Sequence, residues 1–421
     1  MATENKDLAK EVAKEEIKTT SNAERLLDKL LTYEPEPGSG PFVSFYLDAR
    51  VDENGKRNVM PIVRKQLNER AKSYDNNTPE QANFEKDTAR IINYLENEVP
   101  TTAQGLAIFA CTAADDYFEV GEFEAPFDKN RLFVSDRPNV YPLARLIDRY
   151  RRFAVLLADT NRARIYVFAT GRTVEEQTIE NVKTKRTSVG GWSQARYQRH
   201  EENYHLRHVK EVVQMLERVV SEEEVENIIL AGDEAVVIPL IREQLTPALS
   251  DKVIDALSFG IDTPEHELFD ESLKAFHRHD SLTDMEKLER LLNEYRADDL
   301  GVAGVPDTLA ALSNGQVEEM LIVSTPDKLA YDEEEVKKVL ELYEPDGEPL
   351  TNFDHQTVAD ELVRRANLLS AARVTFIEDD TRLQQVGGVG ALLRYRISPE
   401  NAVPYEDSSA VSRSKALTTK A

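Results

Sequence analysis

The sequence predicts an α/β protein built from several domains, and three observations carry that expectation. Apolar runs of strand length, such as GLAIFAC at Gly105–Cys111 and VENIILAGD at Val225–Asp233, alternate with stretches whose apolar residues recur at helical spacing, such as Leu206, Val209, Val213, Leu216 and Val220. Breaker-rich segments (EPEPGSGP, SYDNNTPE, EPDGEPL) separate these elements. A length of 421 residues accommodates about two to four domains at about 100–200 residues each.

Taken in order, residues 1–24 mix Lys and Glu with Ala, offer little to bury, and are expected as a solvated tail. An N-terminal α/β domain is expected over 25–141. A helix at Ala23–Leu31 stops at EPEPGSGP, and FVSFYLD then reads as a strand whose Val43, Phe45 and Leu47 alternate with Ser44, Tyr46 and Asp48. Helices follow over Val59–Ser73 and Glu80–Glu98, then strands at Gly105–Cys111 and Tyr117–Phe123.

A central domain is expected over 142–280. Two β-rich runs joined by DTNR and a third run lead into a basic loop, the long amphipathic helix, the Val225–Asp233 strand and a helix in EAVVIPLIREQL. Such alternation predicts a mixed sheet covered by helices. A C-terminal domain is expected over 281–400, with helices at Leu282–Arg296, Val305–Asn314, Tyr331–Tyr343 and His355–Ser370. GQVEEMLIVS is expected as a strand, and the closing stretch ARVTFIEDDTRLQQVGGVGALLRYRI carries a glycine-rich turn, Gly387–Gly390, that leads into an edge strand. Residues 401–421 return to Ser, Lys, Thr and Ala and are expected as a flexible tail.

Acidic residues outnumber basic ones 77 to 52, for a net charge of -25. Such a surface repels RNA over most of its area, so any nucleic-acid contact is confined to concentrated basic patches. Cys111 is the single cysteine, which excludes an intrachain disulfide and a zinc site built on several cysteines; it reads as a small core residue. No run approaches the length of an apolar membrane span, and the N-terminus is charged throughout. A cytoplasmic monomer without cofactor or membrane partner is expected.

Against this background Lys183–Lys210 stands out. Lys183, Lys185, Arg186, Arg196, Arg199, Arg207 and Lys210 face only Glu201 and Glu202 within it. Thr187, Ser188, Gly190 and Gly191 predict a loop over 183–200, with the helix beginning near Glu201. Guanidinium and ammonium groups flanking a glycine pair, with Trp192 and Tyr197 available for stacking, suit phosphates and unpaired bases. A solvated basic loop in front of a helix is the alternative that charge and glycine alone leave open.

Two further sets of residues invite a metal reading. Asp159 and Asp233 both end strands, and paired carboxylates at a sheet edge hold divalent metals in nucleases; Asp before Thr-Asn and Asp after Gly are equally turn and helix-cap choices, which is the expected role. His200, His205 and His208 lie close in sequence, but only His205 and His208 share a helix face, so phosphate contact or surface exposure is expected rather than zinc.

The stretch GGWSQARYQRHEENYHLRHVKEVVQML resembles the central-domain loop and helix of the archaeal and eukaryotic class 1 peptide-chain release factors and their relative Pelota. There a Gly-Gly-Gln loop precedes Ser, Ala, Arg, an aromatic residue and a basic helix. The resemblance extends to the order FVSFYLD, paired helices, GLAIFAC in the N-terminal region, and to Gly387–Tyr395 near the end. It implies a three-domain release-factor-like architecture with a ribonuclease-H-like central domain and an L7Ae-like C-terminal domain.

It also implies a ribosome-associated translation factor, binding the A site in a tRNA-like pose for rescue, quality control or hibernation, with loop 183–200 directed to the peptidyl-transferase centre. The partners implied are rRNA, peptidyl-tRNA and a translational GTPase on the C-terminal domain. The RNA-binding residues would be Lys183, Lys185, Arg186, Gly190, Gly191, Trp192, Ser193, Arg196, Arg199, Arg207 and Lys210.

Trp192 stands where release factors have Gln, and the family's Asn-Ile-Lys-Ser decoding motif has no match, so stop-codon reading is not expected. The alternative is a peptidyl-tRNA hydrolase or release activity in which Gln194, displaced after Gly191-Trp192-Ser193, orients water and stabilises the transition state. A third alternative is a non-ribosomal RNA-binding protein or nuclease.

Overall fold

A computed structural model describes residues 22–33, 41–53, 55–180, 194–343, 350, 352–378 and 381–397. Their strands form three sheets, and the chain divides into two compact units. One unit is built on Tyr150–Leu282; the other is discontinuous and combines Arg25–Arg149 with the chain from Thr283 onward. No helix among the described residues is long and apolar enough to cross a membrane.

In the central unit, strands β5 (Phe153–Ala158), β6 (Arg162–Ala169), β7 (Arg172–Glu180), β8 (Asn227–Gly232) and β9 (Val253–Ser258) take the order β7-β6-β5-β8-β9. The β5–β6 and β6–β7 pairs are antiparallel, whereas β5–β8 and β8–β9 are parallel. This is the mixed sheet that the strand–helix alternation predicts.

Both sheet faces are covered. On one, Leu156, Ile165, Ile228 and Leu230 pack in one core cluster with Val209, Val213, Leu216 and Val220 of the long helix. On the other, Val155, Leu157, Phe168 and Ile229 meet Leu268 and Phe276 of a 32-residue helix, Glu265–Arg296. Being apolar on both faces, β5 and β8 read as continuous hydrophobic runs, FAVLLA and NIILAG.

The Glu265–Arg296 helix starts well before the expected Leu282. Its first half carries a real apolar stripe (Leu268, Ala275, Phe276) that a dense run of His, Asp and Glu masks.

In the discontinuous unit, β1 (Phe42–Asp48), β2 (Gly105–Cys111), β3 (Tyr117–Phe123) and β4 (Arg131–Ser135) form an antiparallel sheet of order β3-β2-β1-β4. Val43, Phe45, Leu47, Leu106 and Ile108 bury against Val63 and Leu67 of helix Met60–Ala71 and Phe84 and Ile91 of helix Pro79–Asn97. Strand β1 is not half-exposed as its alternation predicts. Ser44 and Tyr46 are also buried, because the Asn139 backbone seals that face: Tyr46 Oη donates to Asn139 O (2.5 Å) and Asn139 N donates to Ser44 Oγ (2.9 Å). Cys111 is buried beside Phe42 and Ala114, as a small core residue.

The other sheet of this unit contains β10 (Gly301–Ala303), β11 (Val317–Val323), β12 (Arg373–Ile377) and β13 (Val389–Leu393) in the order β10-β13-β11-β12. Strand β13, expected at an edge, lies between β10 and β11, because GVA at 301–303 supplies a short outer strand. Gly387 (φ 102°) and Gly388 (φ 79°) make the turn into β13. A Cβ on Gly388 would lie 2.8 Å from Lys328 O, so this turn requires glycine both in conformation and in space.

Helix Tyr141–Arg149 and helix His355–Leu368 hold this unit together. Asp360 Oδ1 accepts from the backbone N–H of Val140 and of Tyr141 (3.0 Å for the latter), so it serves the N-terminus of the first helix. Arg364 Nε pairs with Asp360 Oδ2 at 3.0 Å and its Nη2 donates to Pro138 O. Phe376 N donates to Asp148 Oδ2 (3.0 Å), and Tyr141 Oη donates to Val323 O.

Candidate nucleic-acid interface

The site residues divide by where they fall. Lys183, Lys185, Arg186, Gly190, Gly191, Trp192 and Ser193 lie outside the described residues. Gln194, Arg196 and Arg199 lie on the helix that carries the stripe, which begins at Gln194 and ends at Glu222.

Residues 194–200, expected as part of the loop, are therefore helical, and the helix begins ahead of the expected Glu201. Residues 194–199 are Gln, Ala, Arg, Tyr, Gln and Arg, mostly strong helix formers, and they lack the apolar periodicity by which the rest of the helix is read.

The described part of the helix is anchored on the turn between β5 and β6. Asp159 Oδ1 accepts from Asn161 N (2.7 Å) and Arg162 N (2.6 Å), an Asx turn that fixes this loop. His205 Nδ1 lies 3.1 Å from Thr160 O in the same turn. His208, one helical turn on, is 1% exposed. Burial pushes its imidazole below the usual range, opposed by Asp159, Glu211 and a hydrogen bond with the Arg162 backbone.

This corrects the expectation that His208 offers phosphate contact or surface exposure: it faces the sheet-end turn and belongs to the anchor. Nothing in its local sequence distinguishes it from His205; only the position of the β5–β6 turn does.

Beyond the anchor, toward the N-terminus, the helix continues for eleven residues, 194–204, or about 16 Å at 1.5 Å per residue. Arg207 and Lys210 are exposed on its described part. Arg207 pairs with Glu211 one turn away (3.2 Å), yet its side chain is 81% exposed, so that contact costs little to exchange for another anion. Lys210 has no ion-pair partner among the described residues.

Asp159 and Asp233 follow Ala158 and Gly232, paired residues at the ends of parallel β5 and β8. Both carboxylates serve the backbone. Asp233 Oδ1 accepts from Ala235 N (2.8 Å) and Val236 N (2.9 Å) ahead of the next helix, which is the turn-and-cap role read from sequence. Among the described residues no cluster of three or more His, Cys, Asp or Glu side chains converges as for a metal.

Comparison with solved structures returns translation proteins at low identity. They include the archaeal translation termination factor aRF1 (16% identity, 89% of this chain and 97% of that one, TM-score 0.25). A Saccharomyces cerevisiae protein, Dom34, described as a translation termination-like factor involved in RNA quality control and interacting with Hbs1, matches at 12% identity over 70% and 81% (TM-score 0.36). Ribosome-bound archaeal Pelota matches at 15% over 88% and 95% (TM-score 0.40). Superpositions this loose carry no functional inference. No curated protein matches the sequence.

The family comparison is more local. Residues 138–277 match the model described as bacterial archaeo-eukaryotic release factor family 10, and this segment contains the whole central sheet and the helix just described. Through residues 138–277 the chain is similar to bacterial archaeo-eukaryotic release factor family 10.

Proposed function

We propose that the protein is a ribosome-associated translation factor that occupies the A site in a tRNA-like pose, with segment 183–200 directed to the peptidyl-transferase centre. The observation that carries this reading is a coincidence of position. The segment matching a release-factor family is the one in which an otherwise acidic chain concentrates Arg196, Arg199, Arg207 and Lys210 on one helix.

Lys183, Lys185 and Arg186 extend the same charge, and Trp192 supplies a ring for stacking on a base, worth about 1–3 kcal/mol. An acidic body with one basic arm favours docking in a defined pose over coating RNA at random. By the same reading the C-terminal region takes a translational GTPase as partner.

Co-sedimentation with ribosomes over a salt series tests this. The full chain is expected to pellet with ribosomes, and Arg196→Glu combined with Lys210→Glu to weaken association at least tenfold with a shallower salt dependence. Co-sedimentation unchanged by the pair would refute the assignment.

Gln194, the first residue of the helix, is where hydrolysis would reside. Its neutral amide would orient water and stabilise the transition state, with no strong base required of it. Release of peptide from stalled peptidyl-tRNA by the wild type, lost in Gln194→Ala, would make the factor a hydrolase; no release by either makes it a non-hydrolytic binder.

A further inference from the structure

A cleft in the discontinuous unit reverses the charge balance of the chain. Lys129, Arg131, Arg145 and Arg149 line it, and Asp128 is the one carboxylate among its lining residues. Asp128 bridges Arg145 and Arg149, each at 2.7 Å, and Glu378 lies 2.9 Å from Arg145. In the ion pairs of the described residues these cations meet Asp128 and Glu378, in a protein where acids outnumber bases 77 to 52.

The surplus resides on Arg131 and Lys129. Arg131 donates to the neutral amide oxygen of Gln356, at 3.4 Å, and neither Arg131 nor Lys129 has an ion-pair partner among the described residues. Arg145 adds a second signal: its Nε is buried with no acceptor among the described residues, although a buried guanidinium N–H ordinarily has one.

The cleft's place in the fold points the same way. It opens at the carboxyl end of β11, where Ser324 and Thr325 follow Val323, beside the parallel strand β12. In α/β sheets the crevice beyond the carboxyl ends of parallel strands is where ligands bind. Phe127, Pro142 and Leu146 give it an apolar wall next to the cations, the combination found where a polar or charged group is fixed beside a flat apolar one.

We propose that this cleft binds a nucleoside diphosphate or triphosphate, with adjacent phosphates on Lys129, Arg131 and Arg145 and the base against the Phe127–Leu146 wall. Guanidinium groups suit phosphate oxygens because their N–H donors are planar and paired. A dinucleotide-fold glycine loop plays no part; the charge comes from side chains of the β3–β4 connection, β4 and the Tyr141–Arg149 helix. The site is independent of the ribosome reading.

Isothermal titration of the full chain with ADP, GDP, inorganic pyrophosphate, adenosine and an oligouridylate RNA tests it. ADP or GDP is expected to bind, pyrophosphate more weakly, and adenosine not at all. Lys129→Ala with Arg131→Ala should weaken the nucleotide at least tenfold while leaving the melting temperature of the unliganded protein unchanged, since neither cation has a carboxylate partner among the described residues.

Thr325→Trp, which fills the cleft without altering its charge, should abolish binding as well. Failure of both nucleotides to bind, undiminished binding by the double variant, or binding of the RNA alone would each overturn the proposal.

Discussion

Replacing Asp360 by Asn should cost the discontinuous unit about 3–5 kcal/mol, the range for removing one member of a buried ion pair. The carboxylate accepts two backbone N–H groups at the start of the Tyr141–Arg149 helix and one from Arg364, and its side chain is 11% exposed against 5% for Arg364. Burial pushes the Asp360 carboxyl up from the ordinary range, opposed by Arg364 and the two peptide donors.

The Asn amide keeps an acceptor for a peptide N–H but leaves the Arg364 guanidinium buried with no anion. At about 2–4 °C per kcal/mol for a unit of this size, the expected shift is about 6–20 °C downward in that unit's transition, measured by calorimetry and urea unfolding. Adding Arg364→Met removes the stranded charge and should restore at least half of the loss. A single-variant cost below about 1 kcal/mol, or a double variant no more stable than the single, would refute the claim that this pair closes the unit.

Three further outcomes follow from the same geometry. His208 has a folded pKa below its unfolded value of about 6.5, so its contribution is complete above about pH 6.5 and is lost as pH falls through the folded pKa; His208→Gln should flatten the stability–pH curve below pH 6.5. Gly388→Ala places a Cβ 2.8 Å from Lys328 O at a φ of 79° and should cost about 1–3 kcal/mol in chemical unfolding. Thr78 caps the Pro79–Asn97 helix by accepting from Gln81 N (3.2 Å), and Thr78→Ala should cost about 1 kcal/mol in the same assay.

Elements whose burial is complete were legible from sequence. GLAIFAC and FAVLLA are unbroken apolar runs because helices or neighbouring chain cover both faces, and the long helix showed through its stripe. Strand β9, VIDALS, escaped because its residues are only partly buried, and β4 is five residues long. Helix Tyr141–Arg149 is short and falls where the sequence places a domain boundary, although its buried Tyr141, Leu143, Ala144 and Leu146 make a helical face.

Of the site, the basic stretch and its helix could be read from residue order. The anchor could not, since Thr160 and His205 are 45 positions apart. The cationic cleft was equally hidden: Arg131 and Thr325 line one cleft only when two sheets of the discontinuous unit are assembled.

That assembly has a consequence for synthesis. The Val140–Asp360 contact spans 220 residues, and the intervening chain includes the whole central unit. As translation proceeds from the N-terminus, Tyr150–Leu282 can bury both faces of its sheet and finish folding while the earlier segment still waits for its closing helix. A nascent chain halted before residue 355 should therefore yield a protease-resistant middle flanked by a cleavable N-terminal portion, an order of maturation opposite to the order of emergence.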